Sequence, residues 1–150
     1  MIPRWHILLG AIFTAFIWLV FPETAWYNLA LIFLSAFLID FDHYICAVWK
    51  TGKLGLFSAF AYHKKLQKMH RKCKKKGKGD FHIFHTVEFH LLVFALGFLF
   101  EPFFYVFAGM VFHSLMDVIH LIILKELDKR EFFLVNWLNR GSTTPIRTSI

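Results

Sequence analysis

Four long apolar runs leave this chain few folds to choose from. They extend from about Trp5 to Phe21, Ala25 to Trp49, Phe81 to Phe100 and Phe103 to Leu124. Each has roughly the 17–25 residues that a helix needs to cross a bilayer's ~30 Å hydrocarbon core. Lipid offers backbone N–H and C=O groups no partners, so such runs are expected to be helical. Pro22-Glu23-Thr24 separates the first two runs, with Thr24 placed to cap the second helix. Glu101-Pro102 separates the last two, with proline suited to a first-turn position. The chain is 57% hydrophobic and holds 20 Phe among 150 residues, more apolar surface than a soluble domain of this size can hide. The expected fold is all-α: an integral membrane bundle of about four transmembrane helices plus short interfacial amphipathic helices. Length supports a single domain over 1–140, with a flexible tail over 141–150. The first run has a basic start at Arg4, but Val20-Phe21-Pro22-Glu23 offers no small-residue cleavage site, so it reads as a retained span.

The formal charge is +7, and most of the Lys and Arg lie between Lys50 and Lys78. Basic loops remain cytoplasmic, which places the 50–80 loop on that side. An even number of spans puts Arg4, Lys125, Lys129 and Arg130 there too, while the turns around Glu23 and Glu101 carry no Lys or Arg. Both termini are therefore expected in the cytoplasm. Because the basic run lies between apolar spans, its expected partners are anionic lipid headgroups and not nucleic acid. Within it, Leu54, Phe57, Ala61 and Tyr62 precede His63, Lys64, Lys65 and Lys68, the pattern of an amphipathic helix on a membrane surface. Arg71 to Lys78 is a Lys/Gly run expected to be mobile, and Phe132, Phe133, Val135, Trp137 and Leu138 suggest a second interfacial helix. Cys46 and Cys73 make no CxxC pair and read as ordinary thiols. The sequence leaves homo-oligomer formation open.

Three polar groups interrupt the apolar runs: Asp40-Phe41-Asp42-His43; His82, His85, Glu88 and His90; and His113, Asp117 and His120. Charged and imidazole groups in hydrocarbon are costly, and by default they mark a functional interior. At ~1.5 Å rise per residue, Asp40–His43 lie roughly 10–15 Å before Lys50, His85 and Glu88 roughly 8–12 Å after Asp80, and His113 and Asp117 roughly 12–18 Å before Lys125. Alternating span directions bring all three into one layer in the cytoplasmic half. His113, Asp117 and His120 share a helical face at i, i+4, i+7, and the pairs Asp40/His43, His82/His85 and His85/Glu88 are i, i+3. Asp42 points away from Asp40 on a regular helix; a kink would bring it into the cluster, or it orients a histidine from outside.

Imidazole and carboxylate together suit a divalent metal, Zn²⁺ first, with Mn²⁺ or Fe²⁺ as alternatives, and the set is large enough for one or two ions. The expected metal ligands are Asp40, Asp42, His43, His85, His113 and Asp117. The expected catalytic carboxylates are Glu88 and Asp42, one of them acting as general base. His90 reads more as a packed histidine, His6 and His63 as interfacial and His70 as solvated; whether His82, His90 and His120 join the site is left open. Ser114 beside His113 makes no Ser-His-Asp arrangement, and no Gly-rich phosphate loop is present.

On these residues the chain resembles the predicted membrane-bound metal-dependent hydrolases, a family with a LexA-regulated bacterial member. That family's Asp-x-Asp-His at the end of a span looks like Asp40-Phe41-Asp42-His43 here, its His-Ser or His-Thr pair like His85-Thr86, and its His-x3-Asp like His113-Ser114-Leu115-Met116-Asp117. The three motifs fall in the same order. The family's His-Arg has only His82-Ile83 as its counterpart, and Ile39 stands where a proline usually precedes the first motif. The resemblance implies a metal-dependent hydrolase, for which a lipid or other membrane-interface ester or phosphoester is a fitting substrate. A divalent metal-ion or proton transporter or channel, and a non-enzymatic lipid-binding scaffold, are the alternative classes.

Overall fold

The computed structural model describes residues 3–72, 82–127 and 131–139. Most of the Lys/Gly run, Cys73, Lys129, Arg130 and the 141–150 tail lie outside them. All regular structure within them is helical: α1 (Pro3–Val20), α2 (Trp26–Leu38), α3 (Phe41–Thr51), α4 (Leu56–Lys72), a 3₁₀ turn (Ile83–His85), α5 (Val87–Gly97), α6 (Pro102–Ile123) and α7 (Leu134–Asn139). Two stretches, Trp26–Thr51 and Pro102–Ile123, are long and apolar enough to cross a membrane, whereas α1 and α5 are apolar but shorter.

The second and third runs differ from the uninterrupted helices expected of them. The second divides at Ile39–Asp40, where Asp40 N–H donates to Phe37 O at 3.3 Å and His43 N–H to Asp40 O at 3.1 Å. These i→i−3 bonds tighten the chain between α2 and α3. Aspartate is a weak helix former, and two of them flank Phe41 here. α3 then stops at Gly52, whose φ of 68° suits glycine and whose N–H reaches Val48 O. In the third run, Thr86 adopts an extended backbone (φ −84°, ψ 149°) and its hydroxyl accepts from Phe89 N–H, so α5 begins only at Val87. Thr24 does not perform the corresponding service for α2. Ala25 holds the N-cap position, with no side-chain capping bond.

α2 is the central element, packing against α6 and α1, while α5 packs on α6 and α3 on α4. Small residues set the spacing. A Cβ on Gly10 of α1 would come within 3.1 Å of Ala36 Cβ, and one on Gly109 of α6 would collide with the Ser35 hydroxyl and the Ile32 carbonyl. Close backbone approach through small residues is the usual way helices associate where apolar surface supplies no driving force. Below this contact lies a small apolar core of Ile39, Val93 and Met110, with Phe84, Phe89, Phe103, Val106 and Phe107 packed on it.

At Gly109 the obstructing atom includes a backbone carbonyl, which cannot swing aside. Gly109→Ala is therefore expected to destabilise the bundle by about 1–3 kcal/mol. Thermal unfolding in detergent should show it, and an unchanged midpoint would contradict the close contact.

Candidate metal centre

One turn beyond Gly109, His113 is fully buried and its Nδ1–H donates to Ala36 O at 2.8 Å. A carbonyl can only accept, so Nδ1 carries a proton and Nε2 is the nitrogen that faces inward. His85 reaches the same place from the 3₁₀ turn, its Nδ1–H donating to Asp42 Oδ2 at 3.0 Å. That oxygen also accepts the Phe84 N–H at 3.2 Å, which fixes both the carboxylate and the ring. The two Nε2 atoms stand 3.2 Å apart. In the neutral rings, with Nδ1 carrying the proton in each, both Nε2 atoms present lone pairs to the space between them. Two nitrogens bound to one tetrahedral Zn²⁺ at 2.0–2.1 Å lie about 3.3 Å apart. The observed separation is close to that value, so the two rings could share an ion.

Carboxylates complete the set. Asp40 Oδ1 is 3.4 Å from His85 Nε2, 3.5 Å from His113 Nε2 and 3.5 Å from His43 Nε2. Aspartate at this position usually caps the following helix; Asp40 makes no such bond and turns to the imidazoles instead. Asp117, one turn after His113, places Oδ2 3.6 Å from His113 Nε2. Ligand atoms of Asp40, His43 and His85, and those of His85, His113 and Asp117, lie within 4.8 Å of one another, so these buried His/Asp groups can hold a metal ion.

The structure thus brings together Asp40, Asp42, His43, His85, His113 and Asp117. Asp42 acts through the break between α2 and α3, and one of its oxygens serves to orient His85. Glu88 is elsewhere, and its expected role as a base finds no support in this geometry. Its carboxylate accepts the N–H groups of Leu134 (3.0 Å) and Val135 (3.4 Å), tying the start of α7 to α5. The reason is the Thr86 cap: His85 precedes the helix, so the i, i+3 relation between His85 and Glu88 does not put them on one face.

His6, expected at an interface, is instead buried within the cluster. Its ring stacks on that of His113 with centroids 3.9 Å apart, and its Nε2 is 3.2 Å from Asp117 Oδ1 and 3.9 Å from Asp40 Oδ2. The signal was present in Gly10, one turn after His6, which lets α1 press against α2. His82 joins the open side, with its ring 3.7 Å from that of His43. His63 also reaches this side, its Nε2 donating to His43 O at 2.8 Å. His90 is the packed histidine expected, its Nδ1–H donating to Thr86 O and its Nε2 meeting the Ser114 hydroxyl. His120 belongs to none of the potential metal-binding groups. No protein-family model, curated protein or solved structure matches the chain.

Asp42→Asn should weaken metal binding by about 10–100-fold, the usual effect of losing a carboxylate that orients a ligating histidine. Glu88→Gln should leave affinity unchanged. Competition against a chelator of known affinity measures both, and equal affinities for wild type and Asp42→Asn would refute the orienting role.

Proposed function

We propose that the chain is a membrane-embedded metal-dependent hydrolase acting on an ester or phosphoester at the membrane interface. The observation that carries this reading is the convergence of His85 Nε2, His113 Nε2 and Asp40 Oδ1, with each ring's other nitrogen already committed to an acceptor. In this reading His85, His113, Asp40 and Asp117 hold the ion, which would be Zn²⁺ by its ligand set or else Mn²⁺ or Fe²⁺. A divalent ion held there supplies an acidified water and polarises the scissile carbonyl or phosphoryl oxygen.

The chain's own residues do the rest. Asp42 keeps His85 in the tautomer that turns Nε2 inward. Ala36 O does the same for His113, and the His6 ring covers one face of His113. The side chains of His85 and His113 are only 4% and 0% exposed, against 22% for His82 and 34% for His43. Substrate would therefore enter on the His43–His82 side, where Asp40 and His43 are the more open proton acceptors.

Placement in a membrane draws support from the distribution of surface. Among the described residues, seven hydrophobic side chains are buried but eight polar or charged ones are. Meanwhile Leu19, Trp26, Trp49, Phe57, Phe98, Leu99 and Ile123 are each more than two-thirds exposed. That much apolar exterior around a polar interior fits lipid as the surrounding medium. The α2–α3 and α6 stretches would span it, α1 would cross with them, and α5 would complete a fourth pass together with the irregular segment before it. At 11 residues α5 is too short to cross alone. The non-helical backbone at His85 and Thr86 is buried in protein, which is the condition under which such backbone is tolerated at membrane depth. In this placement α4 lies on the cytoplasmic surface, its exposed Leu56, Phe57 and Phe60 in the acyl boundary and Lys64, Lys65 and Lys68 at anionic headgroups.

Purified protein is expected to contain stoichiometric divalent metal and to cleave ester or phosphoester bonds in vesicles of mixed phospholipids. His113→Ala should abolish cleavage and strip the ion of the buried centre. Cleavage that persists undiminished in His113→Ala would defeat the reading.

A further inference from the structure

The two oxygens of Asp42 have unlike surroundings. Oδ2 is engaged twice, by the Phe84 N–H and by His85 Nδ1–H. Oδ1 is buried and has no hydrogen-bond partner, on a side chain only 6% exposed. An ionised carboxylate oxygen in that position loses its hydration without replacement, a penalty that native structures seldom leave uncompensated. What Oδ1 faces is His82, whose Nδ1 is 3.7 Å away, with the His43 ring beside it. That distance is too long for a hydrogen bond. It is within reach of two atoms sharing an ion to which each bonds at about 2.1 Å.

We propose that the protein holds a second divalent cation, outside the first, between Asp42 Oδ1, His43 and His82. One ligand atom from each of these three residues lies within 4.8 Å of the others. This set omits His85, His113 and Asp117, so it stands on different atoms from the buried centre. It is made of the same borderline donors, one carboxylate and two imidazoles, and accordingly suits Zn²⁺, Mn²⁺ or Fe²⁺. Three protein ligands leave coordination positions unfilled, as in open rather than structural sites. With the His43 and His82 side chains 34% and 22% exposed, an anionic oxygen of an incoming molecule could complete the shell.

The two centres are joined through Asp42. Its Oδ2 orients a ligand of the inner ion while its Oδ1 binds the outer one, so a single carboxylate serves both. Where paired divalent ions lie about 3.5–4 Å apart, they stabilise the attacking and leaving oxygens of a phosphoryl group together. This sharpens the hydrolase reading, on which the substrate part rests, towards phosphoesters over carboxylic esters. The outer cation itself does not depend on that reading.

The test is metal stoichiometry on the full-length protein in detergent, loaded with Zn²⁺ or Mn²⁺, desalted and measured by elemental analysis and by calorimetric titration. Wild type should bind two ions. His82→Ala and His82→Gln should each bind one, at the affinity of the inner centre, and His113→Ala should also bind one. The paired use of alanine and glutamine guards against a variant that fails to fold, and the wild-type count stands whatever the variants do. A wild-type protein that binds one ion, unaffected by His82 substitution, would overturn the outer site and leave the inner centre standing. One ion lost with His82 but kept with His113→Ala would support the outer site and instead sink the metal centre of the proposed hydrolase. No bound ion in wild type would overturn both. With two ions present, cleavage of a phosphodiester headgroup bond that falls at least tenfold in His82→Ala, while carboxylic-ester cleavage does not, supports the phosphoester assignment; equal loss of the two overturns it.

Discussion

Everything at the polar centre depends on how closely three helix backbones approach one another at Ala36. Gly10 brings α1 against the Ala36 side chain, and Gly109 brings α6 against Ile32 and Ser35. One turn from each glycine stands a histidine, His6 on α1 and His113 on α6. Their rings stack at 3.9 Å because the glycines hold the backbones at short range. The same approach carries His113 Nδ1 to the Ala36 carbonyl, which selects the tautomer and turns Nε2 towards His85 and Asp40. A larger residue at either glycine would push apart the backbones that bring these groups together.

A second constraint follows from the burial pattern. The interior is occupied by His6, Asp42, His85, His113 and Asp117 as much as by Ile32, Val93 and Met110, while the large aromatic and aliphatic side chains face outward. In the proposed lipid setting, interhelical hydrogen bonds average only about 0.6 kcal/mol, so such a network would be a poor adhesive. Its organisation is better suited to holding a charge. Two carboxylates and two neutral imidazoles converging in this way would repel one another, and a divalent cation held there would relieve that repulsion. The helix packing is therefore the scaffold and the polar layer is the part it constrains.

Much of this was legible in the residues. α6 begins at the expected proline and covers nearly the expected range, and the amphipathic pattern around Phe57–Lys68 corresponds to α4. Shared depth was enough to group Asp40, His43, His85, His113 and Asp117, because rise per residue is a local property of a helix. Facing was less dependable. The i, i+3 relation of His85 and Glu88 assumed a continuous helix, and Thr86 starts a new one between them. His6 stood near the end of a span; Gly10, one turn on, marks a close approach, but which helix it meets is not local information.

The sequence by itself determined the helical class, the extent of the apolar runs and the layer in which the polar side chains fall. Each of these follows from composition and from spacing along one helix. Only the tertiary structure decided which nitrogen of each histidine faces inward, that Asp42 orients His85, that Glu88 anchors α7 and that His6 closes the cluster from behind. These depend on partners up to 77 residues apart, such as His113 and Ala36. Periodicity can place a side chain on a face of its own helix, but the neighbour across that face is set by backbone approach, which here rests on Gly10 and Gly109.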